Sequence, residues 1–117
     1  MSSIGAVPYD EQLAERLRRL VAGEEGLSEQ RMFGGLAFLI HGNMAVAASG
    51  QGGVLVRVDP EQSDELVRTT PAEPMEMRGR QMAGWLRVDA AAVESDADLT
   101  AWSQRGVSFA RSLPPKR

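Results

Sequence analysis

The run Arg31-Met32-Phe33-Gly34-Gly35 leads directly into an apolar segment, 36–40, and then into His41-Gly42-Asn43 and a second apolar segment, 44–48. Short apolar runs bounded by glycine and asparagine fit paired strands better than helices, which need more length and a wider period. Gly42-Asn43 is a tight hairpin signal. A looser turn, Ser49-Gly50-Gln51-Gly52-Gly53, leads into a third run, 54–58. In that run Val54, Val56 and Val58 point to one sheet face, and Leu55 and Arg57 to the other. The expected core of the fold is therefore a three-stranded antiparallel meander.

Helical spacing appears on both sides of it. Residues 10–22 place Leu13, Leu17, Leu20 and Val21 on one stripe, with Asp10 as cap and Gly23 as stop. Asp59-Pro60-Glu61-Gln62 is a helix-start signature: a capping aspartate, proline at the first helical position and a capping-box glutamine. The helix that follows buries Leu66 and Val67 and ends before Pro71. Segments 74–77 and 84–88 read as two more strands, with Gly79 to Gln81 in their connection. A final helix spans 96–113, capped by Ser95 with Asp98, and carries Leu99, Trp102, Phe109 and Leu113 near one stripe. Gly106 within it is a weak point or a close-packing site. The order α-β-β-β-α-β-β-α predicts an α+β domain, an antiparallel five-stranded sheet with helices on one face. The 117 residues make one domain, with flexible ends at about 1–8 and 114–117.

Composition narrows the chemistry. Cysteine is absent, which excludes disulfides, thiol catalysis and cysteine metal sites and fits a cytoplasmic location. The first residues do not form a secretory signal, and the longest apolar run is too short to cross a bilayer. The single histidine, His41, sits beside a turn with no aligned partner. Asp59, Asp64, Glu65, Asp96 and Asp98 flank helix starts, where capping accounts for them without a metal. Gly34-Gly35 is followed by a strand, not by the helix a phosphate loop needs, and so marks a bulge or close backbone approach in a long bent strand. Ser49, Ser95, Ser103 and Ser108 occupy no nucleophile elbow. No catalytic residue, metal or cofactor is expected.

Binding is the open question. Twelve of the thirteen basic residues are arginine, against sixteen acidic residues and a net charge of -3. Nucleic-acid binding, which wants a broad basic face, is the less favoured alternative, and a small-ligand site joining Arg31, His41 and a carboxylate is a third. Arg78, Arg80, Trp85 and Arg87, near Met82, form the best patch for an acidic protein partner. Met32, Met44, Met75, Met77 and Met82 fill an irregular core or line an adaptable contact surface. A homodimer through a sheet edge fits the same composition.

With these features in order, the sequence resembles the TfoX (Sxy) N-terminal domain family of bacterial competence regulators. The resemblance rests on Arg31-Met32-Phe33-Gly34-Gly35, the hairpin at Gly42-Asn43-Met44, Leu55-Val56-Arg57-Val58-Asp59 leading into a helix, the Met82 to Trp85 region, and the final helix with Trp102 and Leu113-Pro114-Pro115-Lys116. It implies a secretion-chaperone-like α+β arrangement, no catalytic site, and a regulatory role in competence or transcription. Full-length regulators of the family have a second, C-terminal domain, and the resemblance here is to the first alone.

Overall fold

The computed structural model describes residues 9–32 and 34–116. Its elements are α1 (Glu11–Val21), β1 (Leu27–Met32), β2 (Gly35–Ile40), β3 (Asn43–Ala48), β4 (Val54–Arg57), α2 (Ser63–Thr69), β5 (Glu73–Met77), β6 (Arg80–Val88) and α3 (Asp96–Ser112). One-turn 3-10 helices precede α2 at Pro60–Gln62 and α3 at Ala90–Val93. All strands join one antiparallel sheet in the order β1-β2-β3-β4-β6-β5.

The α+β class stands, but the sheet has six strands rather than five. The additional strand is β1, Leu-Ser-Glu-Gln-Arg-Met. Ser28 to Arg31 are exposed, and only its end residues Leu27 and Met32 are apolar and half-buried. An edge strand pairs through one side and can stay polar on both faces, so no period-2 hydrophobic signal marks it. β6 also begins earlier than expected, because its first residues form a hairpin with β5.

The arginine-glycine motif is consequently not part of a long bent strand. Met32 pairs with Gly35, so β1 and β2 are two antiparallel neighbours and not one strand; Phe33 lies outside the described residues, as do residues 1–8 and 117 of the expected flexible ends. Close backbone approach does occur. A Cβ on Gly35 would overlap the Ala48 carbonyl oxygen. The next hairpin turns on His41 and Gly42, with Ile40 opposite Asn43 and His41 in the left-handed region at φ 50°. Beyond α3, the Asn43 amide donates to Pro114 O at 2.9 Å and the Lys116 N–H to His41 O at 2.8 Å. The C-terminal segment therefore lies against this turn.

Alternation in the strands separates two apolar clusters. Phe38, Val46, Val54, Val56, Val58, Leu86 and Val88 meet Leu13, Leu17 and Val21 of α1 and Leu99, Trp102, Val107 and Ala110 of α3. Leu66 and Val67 of α2 pack at its margin. The other cluster, Ala37, Leu39, Met44, Ala47 and Leu55, draws on strands alone and is flanked by Met32, Met75 and Trp85. Valines at 54, 56 and 58 do share a face, opposite Leu55. The α3 stripe differs from expectation: Leu99 and Trp102 are buried, but Phe109 and Leu113 are half-buried, and Ser103, Gly106, Val107 and Ala110 complete the inner face.

Helix starts follow the sequence. Asp10 Oδ1 accepts from the Gln12 and Leu13 N–H groups, and Ser95 Oγ from the Asp98 N–H. Asp59 Oδ1 accepts from the Glu61 N–H, but caps the 3-10 turn, not α2. Gln62 makes no side-chain cap hydrogen bond.

Candidate interaction surface

Two groups of arginines differ in what they touch. On the α1 side they are paired with carboxylates. Arg18 bridges Glu15 at 2.6 Å and Glu29 at 2.7 Å; Arg16 meets Asp96 at 3.2 Å, and Arg111 meets Glu24 at 2.7 Å. The hydrogen bonds with Arg18 hold the Glu29 carboxyl below the usual glutamate range, and Glu29 and Glu15 raise the Arg18 guanidinium.

At the β4–β6 side two arginines, Arg57 and Arg105, lie against aromatic rings. The Arg57 guanidinium stands 5.0 Å from the Trp85 ring centroid and 5.6 Å from that of Phe109. Arg105 stands 4.5 Å from the Trp102 ring. Guanidinium over a ring face gains from the quadrupole while keeping its N–H fork available in the ring plane. Among the described residues, Arg57, Arg78, Arg80, Arg87 and Arg105 have no carboxylate within salt-bridge distance.

Local geometry explains the placement. Arg57 ends β4 directly opposite Trp85 on β6, so the two side chains share a face. Leu55 is likewise opposite Arg87, whose guanidinium donates to the Gln51 side-chain oxygen. Arg78 occupies the β5–β6 turn at φ 56°, with Met77 opposite Arg80, and both Arg78 and Arg80 are exposed. The pairing shifts between Pro74 and Met75, leaving Ala83, Gly84 and Trp85 unmatched on β5. Trp85, at the end of that irregularity, stays paired with Arg57 through β4 on the other side of β6. The Gly84 N–H at its centre donates to the Ser63 hydroxyl at 3.2 Å, tying the hairpin to the start of α2.

Arg78, Arg80, Trp85 and Arg87 all belong to one hairpin, but Arg78 and Arg80 lie at its tip and Trp85 and Arg87 at its base, and the seven strand steps from Arg80 to Arg87 span about 23 Å. Arg57, Arg105 and Phe109 belong beside it and have no local sequence signal, because β4 and α3 bring them in from distant parts of the chain. Arg31 lies elsewhere, 6.0 Å from the Tyr9 ring and opposite Leu36. His41 is at the far end of the β1–β2 pair, its N–H donating to Gly26 O at 2.9 Å. Four strand residues, about 13 Å, separate these two ends, so Arg31 and His41 do not share a site.

Among the described residues no cluster of three or more histidines and carboxylates is placed to hold a metal. No helix there is long and apolar enough to cross a membrane. No curated protein matches the sequence. The TfoX N-terminal domain model matches residues 19–110, from the last turns of α1 to near the end of α3, and the chain belongs to that family.

Proposed function

We propose that this chain is a non-catalytic protein-interaction domain with a regulatory role, in competence or transcription control, that engages an acidic partner protein through the β5–β6 hairpin and the arginine–aromatic face beside it. The observation carrying this reading is the partition of the arginines. Arg16, Arg18, Arg19 and Arg111 pair with carboxylates of the domain, whereas Arg57, Arg78, Arg80, Arg87 and Arg105 have none within salt-bridge distance among the described residues; Arg31 and Arg68, elsewhere on the domain, have none either. An arginine held on a ring and partly desolvated is a stronger carboxylate partner than a free surface lysine. Aromatic and arginine residues are also the types that dominate interface energetics.

Charge on this side is local and mixed. Segment 73–88 holds three arginines and two glutamates, Glu73 and Glu76. Such a surface selects by complementary placement instead of long-range attraction, which suits a protein partner better than a uniform polyanion. The faces of Trp85 and Phe109 nearest Arg57 already carry a guanidinium, which leaves less open ring for stacked bases.

Affinity capture from native cell extract, with and without nuclease, tests the reading. A specific protein retained after nuclease, and lost with the Arg78→Gln/Arg80→Gln double variant, is the expected result. Material released by nuclease, together with salt-sensitive binding to purified DNA or RNA, would replace it with direct nucleic-acid binding.

A further inference from the structure

We propose that β1 is a dimerisation edge. It pairs antiparallel with β1 of a second copy about a two-fold axis at Gln30, joining two six-stranded sheets into one. The inference goes beyond the acidic-partner reading and uses other residues, because β1 and β5 are opposite edges of the sheet.

β1 pairs with β2 in unbroken register from Leu27 to Met32 and, among the described residues, with no strand on its other side. The His41 N–H donates to Gly26 O, which fixes the phase of that ladder. Main-chain groups alternate in direction along an antiparallel strand. Those of Ser28, Gln30 and Met32 therefore turn toward β2, and those of Leu27, Glu29 and Arg31 turn outward. Edges are blunted against pairing by proline and by bulges. β5 carries both Pro74 and a register shift beside it; β1 has neither. Ser28 to Arg31 are exposed. α1 packs on β3 and α3, and β3 lies two strands, about 10 Å, inward of this edge.

Charge selects a second copy and its register. The outward groups pair only where Leu27, Glu29 or Arg31 faces one of the same three residues. Centring the pair on Glu29 or on Arg31 sets like charges directly opposite, which destabilises. Centring it on Ser28 leaves Glu29 facing Leu27. Centring it on Gln30 sets Glu29 opposite Arg31 of the second copy and Arg31 opposite its Glu29. Both pairs then exchange both main-chain hydrogen bonds, and the contact is self-complementary, as a two-fold interface must be. Glu29 and Arg31 lie opposite Phe38 and Leu36, hence on the helix-bearing face. Arg31 has no carboxylate within salt-bridge distance among the described residues. Glu29, although held by Arg18, keeps lone pairs for a second guanidinium. A strand pair this short buries less than the roughly 1,600 Å² of a standard interface, so the dimer is weak and depends on concentration.

The chain has no cysteine, so a single introduced thiol can form a disulfide only with a second copy. Gln30→Cys puts the two thiols at a directly opposed pair with Cα atoms about 4.5 Å apart, within disulfide reach. Ser28→Cys, on the same strand and face, leaves them about 13 Å apart. Under mild oxidation Gln30→Cys should form the linked dimer at least tenfold faster than Ser28→Cys. Sedimentation of the parent chain over rising concentration should show a monomer–dimer equilibrium. Arg31→Glu should weaken it at least tenfold, and Arg80→Glu, the same charge change at the far edge, should not. All four positions are exposed, so an unchanged amide spectrum verifies the fold. A parent chain monomeric at millimolar concentration, equal cross-linking of the two cysteine variants, or a dimer undiminished by Arg31→Glu would each overturn the proposal. Hairpin-dependent capture of a partner by a monomeric chain would remove the dimer and leave the interaction reading standing.

Discussion

Gly106 of α3 lies directly on the main-chain carbonyl of Ala45 in β3, where the β2–β3 register shifts. A Cβ at this position would overlap the carbonyl oxygen and come within 3.4 Å of Val56 Cγ1. In an exposed helix, glycine to alanine gains about 1 kcal/mol. Here overpacking reverses the sign, because α3 would have to lift off the strand that anchors it. Gly106→Ala should lose about 1–3 kcal/mol, read as a lower denaturation midpoint at unchanged slope. A stabilised variant would show that α3 sits farther from the sheet.

One helical turn away in sequence, Ser103 is fully buried and its hydroxyl has no hydrogen-bond partner among the described residues. An unsatisfied buried hydroxyl costs about 1–3 kcal/mol. Removing it leaves a hole of a single atom. Ser103→Ala should therefore be neutral or stabilising in chemical denaturation, whereas Ser103→Val would have to push α3 outward and should destabilise.

Arg57 links a strand to a helix through two rings. Replacing it with glutamine keeps a polar side chain but removes the charge over Trp85 and Phe109. A loss of about 1–2 kcal/mol follows from two partly desolvated cation–π contacts. Trp85 fluorescence should change in the folded state, and Trp102, which is covered by Arg105 instead, should not contribute to the change. The double variant with Phe109→Leu should lose less than the sum of the single losses, since the two share a contact.

How far these relationships were readable in advance depends on how local they are. The capped start of α1, the valine alternation of β4 and the turn before β3 are written in adjacent residues. So was Gly106 as a possible close-packing site, though only Ala45 decides it. β1 was invisible because an edge strand need not bury either face, and Ser28-Glu29-Gln30-Arg31 carries no apolar period. That Arg78, Arg80, Trp85 and Arg87 share one hairpin was legible because they are close in sequence. The approach of Arg57 to Trp85 and Phe109 was not, because only the β4–β6 pairing and the path of α3 bring those side chains together.

The Arg18–Glu29 pair gives β1 its one charged tie to α1, and it makes stability depend on pH in a defined direction. Glu29 Oε2 accepts from Arg18 Nε at 2.7 Å and Oε1 from Nη2 at 2.9 Å, a two-point contact. Hydrogen bonding to Arg18 lowers the folded pKa of Glu29, so the folded state binds its proton less readily than the unfolded chain. The contribution is present above the ordinary glutamate value, about 4.3, and is lost as pH falls from there through the lower folded value. Both side chains are more than a third exposed or close to it, at 42% and 35%, so solvent screening keeps the effect small. Denaturation of the parent chain and Glu29→Gln at pH 7 and at pH 3 should show a stability gap that narrows toward acid. High salt at pH 7 should narrow it as well. A gap that widens as pH falls would mean that Glu29 is held in its protonated form, contrary to its two-point contact with Arg18.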